Sequence, residues 1–332
     1  MISPPPTSAS ETSALKIVFM GTPQLAARIL EILLSAPREQ FRVVAVVTRP
    51  DQPRGRGLRL EASEVGSLAE EHHIPALKPV RIRTPEFVAE LKSFEPDLLV
   101  IAGYGRILPD QVLAAARIMP INVHTSLLPK FRGASPVEGT IMAGEPESGV
   151  TIMRVTERMD AGPILLQRHI LLAPDETQSS LKARLAELGG AALLEALTLL
   201  RRGELAETEQ DENLATYTSP VAKEDAVIDW EENAERIERM VRAYDPWPVA
   251  RTKLGQDDLL VWRARLLPGL EKSVGSTEAP PGTLVKLKPG PIIKCGDGVL
   301  ELVDVQGPGR RRMSGADFMR GRRVSTGVRL GE

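Results

Sequence analysis

The sequence predicts an α/β protein in which a Rossmann-like, doubly wound sheet is followed by a smaller all-β domain. Three observations carry this reading. Apolar runs rich in Val, Ile and Leu recur early in the chain, at Leu15–Gly21, Arg42–Thr48 and Pro96–Tyr104. Amphipathic helical patterns separate them, over Glu64–His72 and Pro85–Phe94. Beyond residue 223 the pattern changes to short strands broken by Gly and Pro. Continuous apolar strands that alternate with helices form parallel sheets covered on both faces, because each strand buries both of its sides. Short strands with frequent turns form small barrels.

Residues 1–14 are rich in Ser, Thr and Pro, with neither a basic start nor an apolar core. They read as a disordered tail and not as a signal peptide. The first strand ends at Gly21, and Thr22-Pro23 opens a helix through Leu34. That turn has one glycine where a dinucleotide site uses three, so NAD or FAD binding loses its main support. Arg49–Arg59 then carries four arginines among prolines and glycines. It is either a solvated loop or an arm for phosphates, whose oxygens match guanidinium forks. After the third strand, Gly103 and Gly105 bracket Tyr104, as where the backbone itself lines a cleft.

Met119, Ile121 and Val123 alternate with polar neighbours and predict a strand that places Asn122 and His124 on one face. The strand's carboxyl end is where open α/β sheets keep their ligand crevice. A non-helical turn follows at Leu128-Pro129, and Ser135-Pro136 reads as the N-cap and first position of a helix. Gly149–Val155 and Ile164–Leu171 are further strands, and Gln178–Arg201 a long helix. Asp160 lies in the loop between those two strands, either as a turn residue or as a partner of Asn122 and His124. On residue types alone, both readings of the Asn-X-His pair also stand: buried groups satisfied by backbone, or a ligand-facing set.

The polar run GELAETEQDEN from Gly203 to Asn213 reads as part of a linker. A helix over Asn233–Ala243 follows, then strands at Val249–Leu254, Leu259–Leu266, Gly282–Leu287, Ile292–Cys295 and Val299–Val305. Trp230, Trp247 and Trp262 are expected to pack this second core. From Lys286 onward ten basic residues stand against five acidic ones, a moderate footprint for phosphates. The whole chain of 332 residues carries a net charge of −2, which excludes a uniformly basic coat. A single cysteine, Cys295, excludes an internal disulfide and a thiolate zinc site. No apolar run reaches membrane-spanning length, and a cytoplasmic protein without a membrane partner is expected.

Taken together, Ala102–Pro109 (AGYGRILP), Asn122–Pro136 (NVHTSLLPKFRGASP) and Met159–Leu165 (MDAGPIL) resemble the folate-dependent formyltransferase family. The likeness extends from about Leu15 to the C-terminus, and it departs from the family pattern at Leu58, Phe131 and Ser135. The family's members formylate glycinamide ribonucleotide, amino sugars or methionyl-tRNA. The arginine loop, Asp229-Trp230 and Asp245-Pro246-Trp247-Pro248 resemble those acting on methionyl-tRNA. The resemblance implies a catalytic domain over 15–203, a linker over 204–222 and an OB-like, tRNA-binding barrel over 223–332. It further implies 10-formyltetrahydrofolate as formyl-donor co-substrate, initiator methionyl-tRNA as partner, no metal, and a monomer. Asn122, His124 and Asp160 would be catalytic, and Arg106, Ile107, Leu108, Ser126, Leu127, Leu128 and Pro129 would frame the folate. Arg49, Arg54, Arg56 and Arg59 would hold the tRNA.

Overall fold

The computed structural model describes residues 13–54, 59–267, 269–270 and 279–331. The tail up to residue 12, Arg56, Leu58 and the side chains of Arg54 and Arg59 therefore lie outside the described residues. The chain divides into two compact units. One comprises Met1–Gly133, Ser148–Ile170 and Lys182–Tyr217, the other Ala134–Glu147, Leu171–Leu181 and Thr218–Glu332.

The first unit is built on β1 (Leu15–Gly21), α1 (Gln24–Leu34), β2 (Phe41–Val47), a hairpin of β3 (Gln52–Arg54) and β4 (Arg59–Glu61), α2 (Glu64–Glu71) and β5 (Ala76–Leu77). It continues with α3 (Pro85–Ser93), β6 (Leu98–Ala102), the short α4 (Asp110–Leu113), β7 (Met119–His124) and the two-residue β8 (Arg132–Gly133). After α5 (Pro136–Ala143), which belongs to the second unit, come β9 (Glu147–Arg154), β10 (Ile164–Leu171) and α6 (Gln178–Arg202), then β11 (Tyr217–Thr218). The strand order is β10-β9-β7-β6-β1-β2-β5. The ladders β2–β5, β1–β2, β1–β6 and β6–β7 are parallel. β9 runs antiparallel to β7, which an apolar pattern cannot reveal because it carries no direction. Ile17, Val18, Phe19 and Met20 are all fully buried, as befits a strand covered on both faces.

Two glycines sit mid-helix in α6, where glycine costs about 1 kcal/mol of helix stability relative to alanine. Packing explains them. A Cβ on Gly190 would stand 2.5 Å from Ile32 Cδ1, and one on Gly189 would stand 3.0 Å from Val123 Cγ1. The bare backbone lets α6 lie close to α1 and to β7.

In the second unit, α7 (Ala234–Ala243) begins at Asn233, whose side chain accepts the Arg236 amide. β12 (Ala250–Leu254), β13 (Asp257–Leu266), β14 (Leu284–Lys286), β15 (Ile292–Lys294) and β16 (Val299–Gln306) pair in the order β12-β13-β16-β15-β14, with β17 (Met313–Ser314) against β16. The ladders of this sheet are antiparallel. Ile237 and Val241 of α7 join Leu259, Val261, Ile293, Leu300 and Leu302 in one core. A helix that the sequence pattern did not reveal, α8 (Gly315–Arg322), is capped by Ser314, whose hydroxyl accepts the Asp317 amide.

The tryptophans divide. Trp230 is buried and its indole N–H donates to Thr252 Oγ1 at 2.9 Å. Trp262 is half-buried, donates to Gln306 Oε1 at 2.9 Å and carries the Arg312 guanidinium 5.3 Å from its ring centre. Trp247 is 50% exposed, so the expectation that all three pack the core fails there. Ser135 holds the N-cap position of α5 but its hydroxyl caps nothing; its amide instead donates to Thr218 Oγ1 at 3.2 Å. Burial pushes the Cys295 thiol up to about 12, which leaves it protonated and inert.

Candidate active site

In the first unit, strand order reverses direction between β1 and β6, and the last residues of those strands, Gly21 and Ala102, are register partners. Such a switch point opens a crevice at the carboxyl ends of parallel strands. A Cβ on Gly21 would stand 2.8 Å from the Ala102 carbonyl, so only glycine permits this approach. Gly103 and Gly105 both adopt positive φ, of 55° and 74°. That leaves bare peptide on the rim around Tyr104.

β7 enters the same edge. Asn122 pairs in register with Ile101 of β6 and with Met153 of β9, and His124 with Thr151. Asn122 is half-buried and its amide has no hydrogen-bond partner among the described residues. His124 is 5% exposed. Its Nε2 lies 3.0 Å from the Phe131 carbonyl, an acceptor only, so Nε2 carries the proton and Nδ1 is the basic nitrogen. Asp160 Oδ2 stands 3.7 Å from Nδ1, too long for a direct hydrogen bond but short enough to stabilise a proton held there. The same oxygen accepts the Gly133 amide at 2.9 Å. The tautomer is thus set by a main-chain carbonyl.

Asp160 reaches this place with φ 49°, and Phe131 with φ 60°. Left-handed backbone in residues other than glycine costs on the order of 1 kcal/mol and survives only where the surroundings impose it. They do so here. The Phe131 amide donates to Thr216 Oγ1 at 2.8 Å, and the Arg132 amide to the Thr216 carbonyl at 2.8 Å. Arg132 is completely buried, donating to Gln210 Oε1, to Glu212 and to the Tyr217 hydroxyl. The bond it donates to Glu212, and then that to Tyr217, hold its guanidinium above the ordinary arginine value.

The other residues singled out from the sequence are placed differently from one another. The Ser126 hydroxyl is fully buried and donates to the Lys130 carbonyl at 2.7 Å, so it braces its own loop. Leu128 is buried, with its amide on Thr151 Oγ1 at 3.1 Å and its carbonyl on Gln167 Nε2 at 2.9 Å. Leu127 and Pro129 are half-buried beside it. Ile107 is 71% exposed, while Leu108 packs under the sheet. Arg106 donates to the carbonyls of Pro79 and Val80, and with Ile107 lines an open depression of about 490 Å³ that also includes Arg81 and Arg83. Arg49 donates to Gln52 Oε1 at 3.1 Å at the foot of the β3–β4 hairpin. The buried Thr151, Arg132 and Gln210 and the half-buried Gln167 were not singled out from the sequence. The signals were slight: one arginine between Phe131 and Gly133, and one neutral amide in an acidic run.

Residues 15–197 match the family model described as formyl transferase, and residues 220–323 match the model described as formyl transferase, C-terminal domain. The chain belongs to the formyl transferase family. Relatives in that family include the methionyl-tRNA formyltransferase of Methylococcus capsulatus, 41% identical over 96% of this chain and 100% of its own length. The methionyl-tRNA formyltransferase of Roseiflexus castenholzii is 44% identical, over 96% of this chain and 99% of its own. Among solved structures, an N-formyltransferase from Helicobacter canadensis in complex with folinic acid and dTDP-3-aminofucose superimposes with a TM-score of 0.63. It is 18% identical, covering 87% of this chain and 98% of that one, a likeness of fold. No helix among the described residues is long and apolar enough to cross a membrane.

Proposed function

We propose that this formyltransferase moves the formyl group of 10-formyltetrahydrofolate to the α-amino group of initiator methionyl-tRNA. The single observation that supports it most is the meeting of His124 with Asp160 beside Asn122 at the carboxyl edge of the sheet. Relatives with methionyl-tRNA formyltransferase in their names match nearly the whole chain, and they favour this acceptor over an amino sugar. The crevice suits a folate donor. Gly103 and Gly105 offer bare peptide, Ile107 offers an exposed apolar face, and the Asn122 amide has a donor to spare. The bound folate supplies an activated formyl carbon on its N10 nitrogen.

Asn122 donates its amide N–H to the oxygen that gains charge as the amine attacks that carbon. His124 Nδ1 accepts the proton lost by the amine and returns it to N10 as the carbon–nitrogen bond breaks, so formyl, proton and leaving group balance. Asp160 stabilises the imidazolium in between, at 3.7 Å. The acceptor must arrive as a free amine, and the arginines at 49, 54, 56 and 59 would hold its tRNA by phosphate contacts. Ile107 and the loop from Leu127 to Pro129 frame the folate by apolar and main-chain contact. The protein acts in the cytoplasm as a monomer, with no metal in the reaction.

The test is transfer of radiolabelled formyl from 10-formyltetrahydrofolate to charged initiator tRNA, with free methionine and a dTDP-amino sugar as parallel acceptors. Label on the tRNA alone is expected. Label on the sugar and none on the tRNA would overturn the acceptor.

A further inference from the structure

The pair His124–Asp160 is held by peptide groups on either side of one residue. The carbonyl of Phe131 takes His124 Nε2, and the amide of Gly133 meets Asp160 Oδ2. Arg132 lies between them, so any movement of Arg132 moves both contacts. Its guanidinium reaches Gln210 Oε1 from Nε at 3.1 Å and from Nη2 at 2.8 Å. The other end of the same amide donates twice, to the Asp160 carbonyl at 2.9 Å and to the Gly162 carbonyl at 2.7 Å. Gln210 is 9% exposed. Its orientation is unambiguous, because only the oxygen can face a guanidinium and only the nitrogen can face two carbonyls.

Gln210 itself is anchored. Two residues upstream, Thr208 exchanges main-chain hydrogen bonds with Ile164, at 2.8 and 2.9 Å. Six residues downstream, Thr216 receives both the Phe131 and the Arg132 amides. One side chain therefore ties the strained backbone of Asp160 to the residue whose flanking peptides hold His124 and Asp160. Glu212 also meets Arg132, but it lies at the surface and touches neither Asp160 nor Gly162.

We propose that Gln210 is a positioning residue for formyl transfer, setting the alignment of Asp160 with His124 through Arg132 and through the main chain of residues 160 and 162. The inference rests on the transferase reading given above. Gln210 touches no reacting atom, so its effect should fall on kcat and on the pH profile, and leave substrate binding alone.

Gln210→Met keeps the volume and removes all four hydrogen bonds. Gln210→Glu keeps an oxygen for Arg132 and removes the two donors, so it tests the tie to Asp160 apart from the hold on Arg132. Glu212→Gln is the control for removing the charge of an Arg132 partner without loss of the Asp160 tie. In either Gln210 variant kcat is expected to fall about 10- to 100-fold, the scale of an ångström-level misplacement. KM for folate and for tRNA should stay within about twofold, and the pH profile of kcat should change because Asp160 no longer stands beside His124. Glu212→Gln should keep kcat and the profile. Folded Gln210 variants with unchanged kcat and pH profile, or a kcat loss equalled by Glu212→Gln, would overturn the proposal. A wild-type protein that transfers no formyl group would overturn the transferase reading, and this inference with it.

Discussion

Two loops leave neighbouring strands at the same edge of the first unit, and they are held in opposite ways. The loop after β7 is braced at nearly every residue: Ser126 on Lys130, Leu128 on Thr151, Phe131 and Arg132 on Thr216. The loop after β6 relies on two positive-φ glycines and on Arg106 reaching Pro79 and Val80, and it leaves Ile107 largely in solvent. The first arrangement fixes donors before a substrate arrives, which is what stabilises developing charge. The second leaves surface to be covered by a ligand. Chemistry and binding are thus divided between two loops, and substitutions should separate kcat from KM along that line.

The largest effect should come from the braced side. Asn122→Ala removes the amide proposed to meet the oxyanion, and kcat is expected to fall by about 10²–10³ with folding intact. Single-turnover transfer measured alongside thermal denaturation checks this, and full activity in a folded variant would sink the role. Next comes Gly162→Ala. Its Cβ would collide with the Arg154 carbonyl in the loop that carries Asp160, and main chain cannot step aside as a flexible side chain can. A loss of roughly 3 kcal/mol is expected from such overpacking, read as a lower denaturation midpoint. On the open side, Ile107→Ala should raise KM for folate about 5-fold through lost apolar contact, with stability changed by less than about 0.5 kcal/mol. A kcat loss with KM unchanged would show that the two loops are not divided as argued.

Acid sensitivity distinguishes the braced loop from the second unit. Hydrogen bonds from Arg132, then Arg158, hold the Glu212 carboxyl below its ordinary value. A lowered folded value means stability that is present above the unfolded value and lost as pH falls through the folded one. Asp245 in the second unit shifts the other way, raised by burial with Arg312 opposing. Its contribution is present below the unfolded value and lost as pH rises through the folded one. Glu212→Gln should therefore flatten the loss of stability toward acid, and Asp245→Asn should not. Urea midpoints measured across pH 3 to 7 compare them directly.

How much of this was legible in the sequence follows from what each pattern encodes. Apolar continuity marked β1, β2 and β6, and alternation marked β7 with Asn122 and His124 on one face, because burial writes itself into residue type. Direction does not, so the antiparallel β9 had no signature. Asp160 stood in the sequence as either a turn residue or a partner of Asn122 and His124, and its reach to His124 depends on a left-handed backbone that no spacing announces. The acidic run around Gln210 looked like solvated chain because its composition is that of a linker, while its bonds from Thr208 to Tyr217 go to groups far away in sequence. Hydrogen-bond partners at such separation are a tertiary property. Trp247 misled for the converse reason: a large aromatic side chain is usually buried, and here it is not.

The smallest effect concerns Tyr104, which belongs to the open loop yet is buried. Its hydroxyl has no partner among the described residues, and burial raises it above the ordinary tyrosine value. An unpaired buried hydroxyl costs free energy in the folded state, so removing it without changing shape should not destabilise. Tyr104→Phe is expected to leave the protein as stable or up to about 1 kcal/mol more so, with KM for folate within about twofold. Denaturation midpoint and KM together decide what the hydroxyl is for. A gain in stability with a large rise in KM would mean that it is kept unpaired for the ligand, which moves Tyr104 from wall to binding group. A loss of stability would mean that it is bonded in solution, and the open loop would then be braced after all.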